Sequence, residues 1–111
     1  MIQVSLVEGE DGYLRAFSMK GHAGFADSGR DIVCAAVSML AINTVNAIET
    51  LLNGFPMKVR SDSEKGSLDC TLESEPSRET ELLLRTMVLG FKGVRDTYGK
   101  EFINIEFIKE R

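Results

Sequence analysis

The sequence predicts an α+β fold with the element order ββαββαβ, a mixed sheet of about five strands covered by two helices. Two observations carry most of this. Apolar residues alternate with period two in five short runs and recur with period 3.6 in two long ones. The runs are joined by short connectors rich in Gly, Pro, Asp and Ser, so no internal boundary interrupts them. The third is length: 111 residues build one core but not two, and residues 1–111 are read as a single domain.

Taken in order, Ile2, Val4 and Leu6 alternate with Gln3 and Ser5 as a first strand. Gly9-Glu10-Asp11-Gly12 is a turn, and Tyr13 to Lys20 is the returning strand. From Gly21 to Asp31 periodicity disappears among Gly21, Gly24, Asp27, Ser28 and Gly29, the composition of a loop. A helix is expected from Ile32 to Asn53. One stripe of it holds Cys34, Ser38, Ala41, Val45, Ile48 and Leu52, and an adjacent stripe holds Val33, Val37, Leu40, Ala47 and Leu51. Met39 and Ile42 fall on the opposite side with Asn43, Asn46 and Glu49, exposed or covered by a second subunit. Gly54 ends the helix and Pro56 follows.

Met57 and Val59, then Leu68, Cys70 and Leu72, make a second hairpin around the polar turn from Ser61 to Gly66. Cys70 is read as a core residue. Ser77 is the expected N-cap of the second helix, with Glu79 and Glu81 at the positive end of its dipole. Leu83, Met87, Phe91, Val94 and Tyr98 form its apolar stripe, Arg78, Arg85, Lys92 and Arg95 its outer face, and Gly99 its end. Phe102 to Ile108 is the last strand.

Composition narrows the function. Apolar residues make up 43% and charged residues 27%, as in a soluble globular protein. The net charge of -4 argues against direct nucleic-acid binding, whose affinity comes largely from neutralising phosphates. No basic, apolar leader opens the chain, and the window from Ile32 to Ile42 is too short to cross a bilayer, so a cytoplasmic protein away from membranes is expected. Two cysteines there are expected to be free thiols. A single histidine excludes a multi-histidine zinc site, and no metal or other cofactor is expected.

The chemistry lies where Gly21-His22-Ala23-Gly24 leaves the second strand and Asp31-Ile32-Val33-Cys34 starts the first helix. A glycine-containing loop between them can bring His22 and Cys34 together. A thiol attacks as its thiolate, which an imidazole and a helix N-terminus both favour. First-turn N–H groups also offer an oxyanion site. The helix start decides the balance. With Asp31 as N-cap, the preferred reading, its carboxylate holds the first turn but opposes thiolate formation. With Ser28 as N-cap, Ser28 and Asp31 form a capping box and Cys34 moves to the second turn. The opposing readings are structural. A cysteine on an apolar helix stripe is commonly a small core residue, and a histidine at a strand end is commonly a surface group. On those readings the chain is a non-enzymatic binding module. A thiol enzyme acting on a small molecule, and an anion nest at Gly24, Gly29 and Arg30, are further alternatives.

The string from Gly21 to Ser38, Gly-His-Ala-Gly-Phe-Ala-Asp-Ser-Gly-Arg-Asp-Ile-Val-Cys-Ala-Ala-Val-Ser, resembles the signature of the ribosomal-processing cysteine protease (Prp) family. The length, the Met-Ile-Gln start and Val45-Asn46-Ala47 fit as well. The resemblance implies a homodimeric, cytoplasmic protease of Firmicutes or related bacteria. It would remove a short N-terminal extension from a large-subunit ribosomal protein, cutting after a phenylalanine in an apolar segment. It implies His22 and Cys34 as the catalytic pair, under a loop that orders over substrate. Asp31 and Ser38 match further signature positions and are assigned to capping or substrate positioning and to hydrogen bonding near the site. Gly21 before His22 and Gly24 after it would let the loop hinge. Asp27 and Asp31 are the candidates for orienting His22, and the residues lining the pocket beside the scissile bond stay open. As a ribosome-associated binding module, the same chain would keep Cys34 in its core.

Overall fold

The computed structural model describes residues 1–27 and 31–110. The elements follow the expected order: β1 (Ile2–Glu8), β2 (Leu14–Lys20), α1 (Ile32–Leu51), β3 (Met57–Asp62), β4 (Ser67–Leu72), α2 (Arg78–Tyr98) and β5 (Ile103–Lys109). The strands form one sheet in the order β3-β4-β2-β1-β5. Only the β1–β5 pair is parallel. That pair needs a long connection, which the rest of the chain supplies.

Register explains which side chains form the core. Val4 lies beside Met19 and Ile105, Leu6 beside Phe17, and Phe17 beside Cys70, so the alternating apolar residues share one face. Both helices pack there, and Val33, Val37, Ala41, Ile48, Leu84, Met87, Val88 and Phe91 join the strand residues in one buried cluster. The other face carries Gln3, Ser5, Ser18, Asp69 and Thr71 and lies open to solvent, the usual division of a one-sided antiparallel sheet. β2 changes parity between Leu14 and Phe17, both buried. A register shift opposite Val7 and Glu8 leaves Arg15 without a partner across the pair, the bulge that lets both residues face inward.

The helices differ in detail from expectation. α1 ends at Leu51, with Leu52 as C-cap rather than a last turn at Asn53, and Gly54 N–H reaches back to the Glu49 carbonyl (2.7 Å). Its buried face is Val33, Val37, Ala41, Thr44 and Ile48. Thr44 is buried because its hydroxyl donates to the Leu40 carbonyl. Leu51, expected in the apolar stripe, is 68% exposed. By length and composition α1 is apolar enough to span a bilayer, contrary to the expectation from its first eleven residues, but it serves as a core helix against the sheet. α2 starts at a capping box in which Ser77 and Thr80 exchange side-chain and main-chain hydrogen bonds. Its buried face includes Leu84 and Val88, and Tyr98 lies at the margin. Arg85 is not simply an outer-face residue. It bonds Glu81, Glu8 and the Gly12 carbonyl.

Cys70 is buried beside Met57, and burial pushes its thiol pKa up to about 11, as expected of a core cysteine.

Candidate active site

At the end of β2, Gly21 turns the chain out of the sheet with φ of 95°. A Cβ there would lie 2.7 Å from the Met1 carbonyl oxygen, so conformation and close approach both require glycine. Gly21 N–H donates to the Lys65 carbonyl (3.3 Å), tying this turn to the β3–β4 hairpin. The next residue, His22, is exposed, and its imidazole lies over Gly66 of that hairpin. A Cβ on Gly66 would come within 2.9 Å of His22 Cε1 and 2.8 Å of the Gly21 carbonyl oxygen.

Cys34 enters from the other side, in the first turn of α1. Asp31 is the N-cap. One of its carboxylate oxygens, Oδ1, accepts from Val33 and Cys34 N–H, both at 3.0 Å. The other, Oδ2, accepts from Phe25 N–H (3.1 Å), so one side chain fixes both the helix start and the loop after His22. Phe25 is held further by edge-on contacts with Tyr98 and Phe102, at centroid separations of 5.6 and 5.2 Å. Cys34 Sγ accepts from Ala23 N–H at 3.1 Å. The residue after the histidine thus delivers a hydrogen bond to the sulfur.

These contacts decide the electrostatics. Partial burial raises the Cys34 thiol pKa, the Ala23 N–H works to lower it, and Asp31 raises it through its hydrogen bond and its charge. The outcome is a thiol raised above its ordinary value. Burial would also raise the Asp31 carboxyl, but donors from Cys34, Phe25 and Ala26 outweigh it and hold it below the usual carboxylate range. The expectation of free first-turn donors at Cys34 is corrected here: the N–H groups of Val33 and Cys34 are taken by Asp31, which as N-cap also opposes the thiolate.

Two hollows of about 440 Å³ each meet at His22, Cys34 and Ser38. The first extends over Gly24, Ala26, Asp31 and Ala35. The second runs over Gly21 and the β3–β4 turn toward Ile42 and the sheet. All five residues singled out from the sequence, Gly21, His22, Asp31, Cys34 and Ser38, therefore line this one region. Among the described residues, the His22 ring donates no hydrogen bond to Asp27 or Asp31, and no three His, Cys, Asp or Glu side chains gather as a metal site. The Ser28 cap and the anion nest at Gly29 and Arg30 lie outside the described residues, as does part of the loop expected to order over substrate. Sequence reasoning missed the hairpin turn behind His22 and the place of Ile42. A signal for Ile42 was available: Cys34, Ser38 and Ile42 recur at four-residue spacing along one helix face.

A reduced cysteine at a helix start, hydrogen-bonded from the residue beside a histidine, places the molecule among proteins equipped for thiol nucleophile chemistry. The chain belongs to the cysteine protease Prp family, whose model matches residues 1–103. It is 29% identical over 102 residues to the ribosomal processing cysteine protease Prp of Bacillus subtilis, covering 88% of this chain and 90% of that protein. The essential ribosomal processing protease Prp of Staphylococcus aureus, solved with a covalently linked product peptide, superposes with a TM-score of 0.86 at 27% identity. That match covers 96% of this chain and 99% of the other. A Streptococcus mutans protein matches with a TM-score of 0.81 at 30% identity, covering 99% and 96% of the two chains. The protein is a cysteine protease of a family named for ribosomal processing.

Proposed function

We propose that this protease removes a short N-terminal extension from a large-subunit ribosomal protein, with Cys34 as nucleophile and His22 as general base. The observation that carries the reading is that His22 and Cys34 line one hollow, with the Cys34 sulfur accepting the Ala23 N–H. The S. aureus relative solved with a product peptide supports a peptide as substrate.

In this mechanism His22 takes the proton from the raised Cys34 thiol as substrate binds. Ala23 N–H steadies the sulfur as it gains charge. The thiolate attacks the scissile carbonyl, forming the C–S bond, and collapse of the tetrahedral adduct expels the amine, which takes its proton from His22. Water then cleaves the thioester and frees Cys34. Asp31 positions the loop and the first helical turn, Ser38 supplies a hydroxyl beside the sulfur, and Gly21 sets the approach of His22. The chain works in the cytoplasm, without cofactor or direct contact to nucleic acid. It works as a homodimer that covers Met39 and Ile42, exposed on α1, and its mass in solution tests that last point.

Cleavage of a synthetic peptide spanning the extension by wild type, Cys34→Ala and His22→Ala tests the dyad. Wild type is expected to cut, Cys34→Ala to be inactive, and His22→Ala to lose about 10²-fold or more in kcat. Cutting by folded Cys34→Ala at the wild-type rate would overturn the reading.

A further inference from the structure

The segment that carries His22 is tied down on its strand side by main-chain bonds. Gly21 N–H donates to the Lys65 carbonyl (3.3 Å), and the His22 carbonyl accepts from the Met1 amino group (2.7 Å). Beyond Ala23 the chain is held differently. Phe25 N–H donates to Asp31 Oδ2, and the Phe25 ring meets Tyr98 and Phe102 edge-on, at interplanar angles of 80° and 74°. Both partners come from the other end of the chain. Tyr98 is the last residue of α2, and Phe102 directly precedes β5. Phe102 is fixed in its turn: its carbonyl accepts Ile2 N–H (2.9 Å) and its side chain packs against the core. None of the three rings lines either hollow at Cys34, whereas Gly24 and Ala26, the neighbours of Phe25, line the first. Phe25 and Tyr98 stay 40% and 37% exposed, so burial is not what their contact mainly achieves. What it does achieve is to fix the main chain on which the Phe25 ring stands.

We infer that Tyr98 and Phe102 are positioning residues of the protease: they seat the Phe25 ring and so hold the Ala23 main chain against the Cys34 sulfur. The inference rests on the protease reading. Ala23 and Phe25 are joined through Gly24, which has φ of 75° and open space where a Cβ would stand. Glycine moves freely between backbone states unless its neighbours are held. With Phe25 unseated, that freedom passes to Ala23, and its 3.1 Å bond to the sulfur loosens. Misplacement by about 1 Å near a reacting centre costs up to about 10²-fold in rate. The end of α2 thereby acts on the sulfur without touching substrate.

The test compares wild type with Phe25→Ala, Tyr98→Ala, the double variant and Tyr98→Phe in the full chain, with folding checked by a urea melt. Two quantities are read: kcat for the extension peptide, and the pH midpoint of Cys34 alkylation by iodoacetamide. Among the described residues, the charged or titratable groups facing Cys34 are His22, Asp31 and the Met1 amino group, and no variant changes them. Phe25→Ala and Tyr98→Ala should each lower kcat about tenfold and move the midpoint to higher pH, because the thiolate loses its N–H donor. The double variant should lose no more than Phe25→Ala alone, since both changes remove one contact. Tyr98→Phe keeps the ring and should match wild type. Tyr98→Leu replaces Tyr98→Ala if that variant does not fold. A wild-type rate and midpoint in the folded Tyr98 variant overturns the inference, as do losses that multiply in the double variant. If folded wild type cuts no peptide, the protease reading falls, and the alkylation midpoints still decide whether Tyr98 acts on the sulfur.

Discussion

Asp31 sets the charge around Cys34. Its carboxylate caps α1, grips Phe25 N–H and raises the pKa of the thiol one turn away. Replacing it with Asn keeps an oxygen for the Val33 and Cys34 N–H groups but removes the charge. The prediction follows from the sign: Asp31→Asn should move the pH midpoint of Cys34 alkylation to lower pH, read from iodoacetamide rates across a pH series. An unchanged midpoint would show that the carboxylate charge does not reach the sulfur. Asp31→Ala loses the cap as well and should cost about 1 kcal/mol in a urea melt. The low carboxyl pKa of Asp31 adds stability that is present above the ordinary carboxylate value and lost as pH falls through the lowered one. His22, Cys34 and Asp31 could be found in the sequence because their chemistry is specific to their residue types. The Ala23 N–H to sulfur bond could not, since any residue's main chain can donate it. Neither could Gly66, whose role is the absence of a Cβ beneath a ring more than forty residues earlier in the chain.

Among the elements, strand and helix order was legible, while the faces of the helices were legible only in part. Two adjacent apolar stripes on α1 have similar composition, and the sequence does not say which one the sheet takes. The sheet takes the line from Val33 to Ile48 and includes Thr44, whose hydroxyl is satisfied by its own helix. That choice leaves Cys34 half-buried at the edge of the core, where it is both held and reachable. The two glycines of α2 show how packing overrides propensity. A Cβ at Gly93 meets nothing within 4 Å, whereas one at Gly90 would come 2.9 Å from both terminal methyl groups of Leu40 on α1. Gly93→Ala should therefore raise unfolding free energy by about 0.5–1 kcal/mol, from helix propensity and a less flexible unfolded chain. Gly90→Ala has the same propensity gain but must displace Leu40, and should fall below Gly93→Ala in the same urea titration. Equal stabilisation by both would mean that the two helices do not meet closely at Gly90.

Across the whole molecule, the sheet separates a reactive end from a structural one. β2 (Leu14–Lys20) runs from the bulge at Arg15 to the turn at Gly21, and its seven residues span roughly 20 Å. The end away from His22 is closed by Glu81, read from the sequence as a dipole partner of its own helix. One of its carboxylate oxygens accepts the Leu14 main-chain N–H at 2.8 Å, and the other accepts from Arg85. Arg85 in turn bonds Glu8 and the Gly12 carbonyl, so α2 is fastened to both arms of the first hairpin. The sequence gives no hint of this, because the bonds join residues 67 to 77 positions apart. Leu14 is fully buried, so its N–H has no water to turn to once Glu81 is shortened. Glu81→Ala should lose about 1–3 kcal/mol of stability, the cost of an unsatisfied buried donor. Glu81→Gln keeps an acceptor oxygen and should lose less. Peptide cleavage per folded molecule should stay at the wild-type level in both variants, because the fastening lies at the far end of β2 from Cys34. A urea melt of Glu81→Ala that overlays wild type would show that Leu14 N–H finds another partner. A drop in turnover without a drop in stability would mean instead that the two ends of the sheet are coupled.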